Sequence, residues 1–270
     1  MTNPAASVSA PSEQAVPPGG VSGLRLWLAL VGLAALGLVI SAPFMLPVLQ
    51  KLLAERHVPM ALGVVLLLQD AQVLVLAALA AAAGVWTAGR VGLDAPLLRA
   101  RLGGEPVARR LLGLVPDAVL AGTLSASFIL LLSVALKSRL PPGVGEFPEM
   151  SPWTTATAAA YGGLVEEILC RWGLLALFAY GLHRLGVSRG TGFWVANVAA
   201  ALAFGALHLP AAFQLGMQST PLVVGYLLVA NGVVGLVCGW LFRRRGLESA
   251  MLAHGSADLW LHTVFPLLGL

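Results

Sequence analysis

Charge is what this chain has least of. Charged residues fill 10% of its 270 positions and hydrophobic ones 58%, against about 25% charged in an average soluble domain. No soluble fold of this size covers its surface with so few ionised groups, which excludes that class. Cysteine is scarce too. Cys170 and Cys238 are the 2 present, both inside apolar runs, where free cysteine reads as a small buried hydrophobe. Nothing in their spacing suggests a disulfide framework or a cysteine-based metal site. Lysine is nearly missing, and the preference for arginine points to a GC-rich bacterial genome. Of the aromatic residues, Trp27, Trp86, Trp153 and Trp172 fall mostly near the ends of apolar runs, as interfacial anchors do.

What the chain does contain is apolar stretches long enough to cross a hydrocarbon core of about 30 Å. They lie at about 25–47, 59–86, 115–136, 155–183, 191–211, 220–242 and 247–268. The expected fold is therefore all-α, a polytopic transmembrane helical bundle of about seven spanning helices, with the lipid bilayer as its first partner. Residues 1–22, rich in Ala, Ser, Pro and Gly with Glu13 their one charge, are expected to be a disordered N-terminal tail. A cleaved signal peptide is not expected, because the apolar run starts late behind a nearly uncharged segment. Residues 23–270 form the transmembrane domain, without internal repeats. The stretch from Arg90 to Arg110 suits an interfacial helix, and Lys137 to Pro152, with four prolines, an irregular extramembrane loop.

The sequence pI of about 9.6 reflects topology, since the basic residues sit in short loops between apolar runs. With the N-terminus inside and seven spans, the inner segments hold twelve of the basic residues and the outer loops four, Lys51, Arg56, Lys137 and Arg139. That asymmetry satisfies the positive-inside rule. It places the N-terminus in the cytoplasm of a bacterial cell membrane and offers no face for nucleic acid.

Ionisable side chains within a bilayer cost at least about 2.5–3.5 kcal/mol each and are functional candidates by default. Here they cluster. The fourth run holds Glu166-Glu167 and Arg171, the fifth Phe204 and His208, the seventh His254, Asp258 and His262. Glu167 and Arg171, four apart with the acid first, have the favourable order for an ion pair. Glu166 points about 100° away around the helix and is left without a partner on its own helix. His254, Asp258 and His262 share one face. The turn between the fourth and fifth runs centres near residue 187, midway between Glu166 and His208, so an antiparallel pair sets these two level, roughly 30 Å from the turn at the helical rise. His254 sits about nine residues beyond Arg245 and reads as shallower, so all three meet only if helices tilt or the turn projects.

In order, Glu-Glu-x-x-x-Arg, Phe-x-x-x-His and His-x-x-x-Asp resemble the motifs of the type II CAAX prenyl endopeptidase family and its bacterial relatives. Those are the CPBP intramembrane proteases, which include bacteriocin-processing and self-immunity proteins. The resemblance covers about residues 150–268 and implies an intramembrane endopeptidase acting on a membrane-associated or CAAX-like protein or peptide. It further implies that Glu166 and His208 activate water while His254 and Asp258 stabilise the oxyanion or assist. The family often has Asn at the position of Asp258, and an ionised carboxylate cannot donate a hydrogen bond. Asp258 is then protonated, orients His254, or contributes to a metal site. Both a metal-free glutamate mechanism, which needs no cofactor, and a zinc mechanism with Glu166, His208 and His254 as ligands stay open. The His-Glu-x-x-His zinc-helix signature is absent.

Other readings compete. A proton-coupled transporter would use the same buried charges but predicts inverted repeats, and none is found. A catalytically silent immunity or scaffold protein would tolerate loss of a motif residue, and none is lost. His262 reads as structural or interfacial. Asp70, flanked by Gln69 and Gln72, is either a helix–helix hydrogen-bonding group or part of the cavity.

Overall fold

The computed structural model describes residues 21–56, 59–141 and 149–270. The tail expected to be disordered lies outside them but for its last two positions, as does 142–148 of the proline-rich loop. Every regular element among the described residues is helical, and five helices are long and apolar enough to cross a membrane. Four are α1 (Gly23–Arg56), α2 (Leu62–Thr87, continued by a 3-10 turn at Ala88–Val91), α4 (Ala108–Leu136) and α8 (Arg189–Gln214). The fifth is α9 (Pro221–Arg245). The short α3 (Pro96–Leu102) occupies the stretch read as interfacial.

The remaining two apolar runs are helical but subdivided. The fourth comprises α5 (Pro152–Ala156), α6 (Ala158–Ala160), π1 (Tyr161–Glu166), π2 (Ile168–Leu175) and α7 (Ala176–Arg184). The seventh comprises α10 (Leu247–Leu259), π3 (Trp260–Val264) and α11 (Phe265–Leu267). The π geometry, with i→i+5 bonds, occurs mostly as single turns inside α-helices and is frequent at functional sites. Here it coincides with the buried charges.

Lipid-facing and protein-facing surfaces separate sharply. Leu67, Leu79, Leu120 and Leu131 are largely exposed, which in water would mark a large interaction patch and here fits contact with acyl chains. Inward faces are built from small residues, because helices in lipid associate through close packing and hydrogen bonds rather than the hydrophobic effect. A Cβ on Gly173 would come within 2.6 Å of Ala80, and one on Gly205 within 3.0 Å of the Leu228 backbone. Side-chain donors then tie helices together. Trp27 Nε1–H donates to the Ala78 carbonyl at 2.9 Å and Asn197 Nδ2–H to the Leu236 carbonyl at 3.1 Å. Trp172, read above as an interfacial anchor, is instead fully buried, its Nε1–H donating to the Ala81 carbonyl at 3.1 Å. Gly84 leaves room for its ring.

α10 packs between α4 and α9 and against π1, while π2 packs on α2 and α8. The α9–α10 corner turns on Gly246, whose φ of 94° and ψ of 170° belong to a region essentially restricted to glycine. The corner is pinned to α3: Leu98 N–H donates to Glu248 Oε1 at 2.7 Å and Leu247 N–H to the Asp94 carbonyl at 3.1 Å. This anchor fixes where α10, and with it His254, begins its path into the bundle.

Candidate active site

Three apolar runs deliver the site. Glu166 and Glu167 stand where π1 passes into π2, His208 on α8, and His254 and Asp258 on α10. α7 ends at Arg184 and α8 starts at Arg189, which leaves Glu166 and His208 at nearly equal separations from the connecting turn. Their side chains meet, Glu166 Oε1 lying 3.7 Å from His208 Nε2. His254, read as shallower, also reaches this level: its Nε2 is 3.5 Å from Glu166 Oε2 and 3.9 Å from Asp258 Oδ1.

Each imidazole is oriented by its other nitrogen. His208 Nδ1–H donates to the Phe204 carbonyl at 2.8 Å, one turn back on the same helix. A carbonyl only accepts, so Nδ1 carries a proton, and in the neutral ring the Nε2 lone pair is turned toward Glu166. His254 Nδ1–H donates to Glu167 Oε1 at 2.7 Å. Glu167 Oε1 also lies 3.2 Å from Arg171 Nη1, and both of these side chains are at most 1% exposed. The Glu167–Arg171 pair thus extends to His254. The Phe204 ring closes the cluster, with the Arg171 Cζ 4.5 Å from its centroid and the rings of His208 and His254 edge-on at 4.8 and 5.5 Å. Glu166 keeps 18% of its side chain exposed and His208 33%. The outer carboxylate and imidazole are therefore reachable, while the inner pair is sealed.

Glycine makes this convergence sterically possible. Gly162 and Gly163 in π1 lie flat against α10. A Cβ at Gly163 would come within 2.8 Å of the Met251 carbonyl oxygen, and one at Gly162 would overlap the Asp258 carboxylate and stand 3.0 Å from His254 Nε2. Gly162→Ala should therefore disturb the site directly, with an overpacking cost of about 1–3 kcal/mol and at least about a tenfold loss of turnover. Gly181 and Gly225 have open space around the added methyl. Alanine there should be neutral or mildly stabilising, as expected from helix propensity. Thermal midpoints and kcat for the three variants check this, and equal behaviour at all three positions would refute the steric argument.

Other residues singled out from sequence lie around this centre. The His262 ring packs on Phe44 at a centroid distance of 5.8 Å, and Asp70 is half-buried on α2. Cys170 and Cys238 are free and buried. Cys238 Sγ–H points at the Ala250 carbonyl at 3.7 Å. The Glu167–His254 bond joins residues 87 positions apart on different helices, and no periodicity within one helix reports it.

Two sets of donors bear on metal binding. Glu167, Cys238 and His254 offer ligand atoms within 4.8 Å of one another, but the Arg171 guanidinium already neutralises Glu167 and would repel a cation. Glu166 with Nε2 of His208 and His254 is the zinc donor set expected from sequence, but among the described residues only the first group brings three ligand atoms within 4.8 Å of one another. Both Nδ1 atoms are hydrogen-bonded to acceptors, the support that ligating histidines normally have.

Residues 148–260 match the family described as Rce1-like, type II CAAX prenyl endopeptidase. The matched segment includes Glu166, Glu167, Arg171, His208, His254 and Asp258. Compared with curated proteins and with solved structures, the chain gives no match.

Proposed function

From the membership of residues 148–260 in the Rce1-like type II CAAX prenyl endopeptidase family, a peptidase family, we propose that this integral membrane protein hydrolyses a peptide bond in a membrane-associated, CAAX-like protein or peptide. We assign Glu166 as general base and His208 as its partner. The observation that carries this assignment is the approach of Glu166 to both imidazoles, at 3.7 Å from His208 and 3.5 Å from His254, in the exposed part of an otherwise sealed cluster.

Hydrolysis follows from that arrangement. Glu166 takes a proton from water as the water oxygen bonds to the scissile carbonyl carbon. His208 Nε2, its lone pair freed by the Nδ1–Phe204 bond, accepts the second water hydrogen and aims the oxygen. The carbonyl π pair moves onto oxygen, and His254, when doubly protonated, donates to that oxyanion while Asp258 holds its charge. Collapse restores the carbonyl and breaks the C–N bond, and Glu166 returns its proton to the departing nitrogen. Glu167 anchors His254 and takes no part in proton transfer. Zinc held by Glu166, His208 and His254 would supply Lewis-acid activation of the water at the same place.

The test is cleavage of a farnesylated CAAX peptide by the purified protein in detergent, followed by mass spectrometry with and without chelator. Cleavage that survives chelation and falls by about 10²–10⁴ in His208→Ala supports the glutamate mechanism. Cleavage lost to chelator and restored by zinc would transfer Glu166, His208 and His254 to a ligand role. No cleavage of this peptide by the wild-type protein would reject the substrate assignment.

A further inference from the structure

Resting on that reading, we propose that Asn231 on α9 is a further catalytic residue, whose side-chain amide donates a hydrogen bond to the oxyanion formed when water adds to the scissile carbonyl. It belongs to none of the three motifs.

Its position follows from two helix registers. Against α8, a Cβ on Gly235 would lie 3.0 Å from the Ala201 Cα, and one on Gly205 3.0 Å from the Leu228 Cα. Interpolating along this antiparallel pair sets Asn231 level with Phe204, whose ring touches His208, His254 and Arg171. Against α10, Cys238 contacts the Ala250 carbonyl. Seven residues along each strand of this second antiparallel pair, Asn231 stands level with Ala257, beside Asp258.

Its direction follows from helical phase. Residues 231, 235 and 238 share one face of α9. At Gly235 that face looks at Arg171, since a Cβ there would lie 3.4 Å from Nη2, and at Cys238 it looks at Glu167 and His254, whose ligand atoms are within 4.8 Å of the sulfur. Asn231 lies between these two azimuths, further along toward Glu166 and Asp258.

Its hydrogen bonding leaves one amide hydrogen uncommitted. A polar side chain inside a membrane bundle either binds across to a neighbouring helix, as Asn197 does through its bond to Leu236, or bonds back within its own helix, as Thr87 and Ser125 do to Ala83 and Ala121. Asn231 does not cross: its Nδ2–H donates to the Leu227 carbonyl of its own helix at 2.9 Å. A primary amide carries two such hydrogens. The first fixes the plane of the group and the second is left for a ligand. Asn231 is also only half-buried. The amide absent at Asp258 is thus supplied from the adjacent helix. In the reaction the carbonyl π pair moves onto oxygen as the water O–C bond forms, and Asn231 stabilises that charge until the C–N bond breaks.

The assay is the farnesylated CAAX peptide with purified full-length protein. Asn231→Ala and the isosteric Asn231→Asp should each lower kcat about a hundredfold, with KM changed less than about twofold and the thermal midpoint retained. Asp258→Asn placed in the Asn231→Ala protein should recover about tenfold or more of kcat, because it returns an amide to the same level. A kcat for Asn231→Ala within about threefold of wild type, while Glu166→Gln is inactive, overturns the role of Asn231 and leaves the peptidase reading intact. Loss of kcat only in proportion to loss of thermal stability, with no recovery in the double variant, assigns Asn231 to packing and also overturns it. An active Glu166→Gln, or no cleavage by wild type, overturns the underlying reading instead.

Discussion

Glu166→Gln is expected to abolish practical turnover, lowering kcat by about 10²–10⁴, the range typical for loss of a general base. Glutamine preserves the volume and planarity of the side chain, so the backbone of π1 has no reason to move. It keeps an acceptor oxygen and removes basicity. Because 18% of the Glu166 side chain remains exposed, the substitution leaves no sealed charge unpaired, and the thermal midpoint should stay close to wild type. Glu166→Asp should also be severely impaired: it withdraws the carboxylate by about one methylene, and misplacements of about 1 Å cost around 10² in rate. Single-turnover cleavage, peptide binding and thermal melting on the same preparations separate these effects. Near-normal hydrolysis by purified Glu166→Gln, free of contaminating protease, would remove Glu166 from the role of base.

Arg171→Ala is the other substitution with a large expected effect, on folding rather than on chemistry. The Arg171 side chain is 1% exposed and that of Glu167 not at all. The guanidinium both neutralises Glu167 and lies over the Phe204 ring. Removing one member of a buried pair leaves the other uncompensated, a loss of about 3–5 kcal/mol. Much lower yield and a lower melting temperature are therefore expected. Replacing both partners, in Arg171→Met with Glu167→Gln, eliminates the orphaned charge and should recover most of the stability, since the loss comes from leaving one ion of a buried pair uncompensated, and the amide oxygen of the introduced glutamine still accepts from His254. The structure adds a catalytic consequence. Glu167 holds His254 Nδ1, so the double variant should fold well yet turn over more slowly than wild type. A single Arg171→Ala protein that melts like wild type but fails only in turnover would place Arg171 in the reacting centre.

The Glu167–Arg171 contact illustrates what sequence can convey. Acid and base four residues apart on one helix must face the same way, and their contact at 3.2 Å follows local geometry. The same local logic placed the apolar runs on helices, grouped Glu166, His208 and His254 as polar exceptions in hydrocarbon, and predicted a short helix before the Ala108–Leu136 span. Trp172 shows where this logic stops. Its position in a run suggests the interface, yet it is buried against α2 because Gly84 opens a space for its ring.

Composition and helical spacing by themselves determined the membrane class, the helical architecture and the identity of the polar side chains that a bilayer would not otherwise tolerate. Hydrophobicity and the 3.6-residue repeat are properties of neighbouring residues, readable one helix at a time. Tertiary structure alone decided that His254 reaches the level of Glu166 and His208, and that Glu167 serves Arg171 and His254 together. Those relations depend on the register between separate helices, on the changed phase of the π turns, and on glycines at 162, 163, 205 and 235 that let backbones approach within a methyl's width. Periodicity within a single helix contains none of that information.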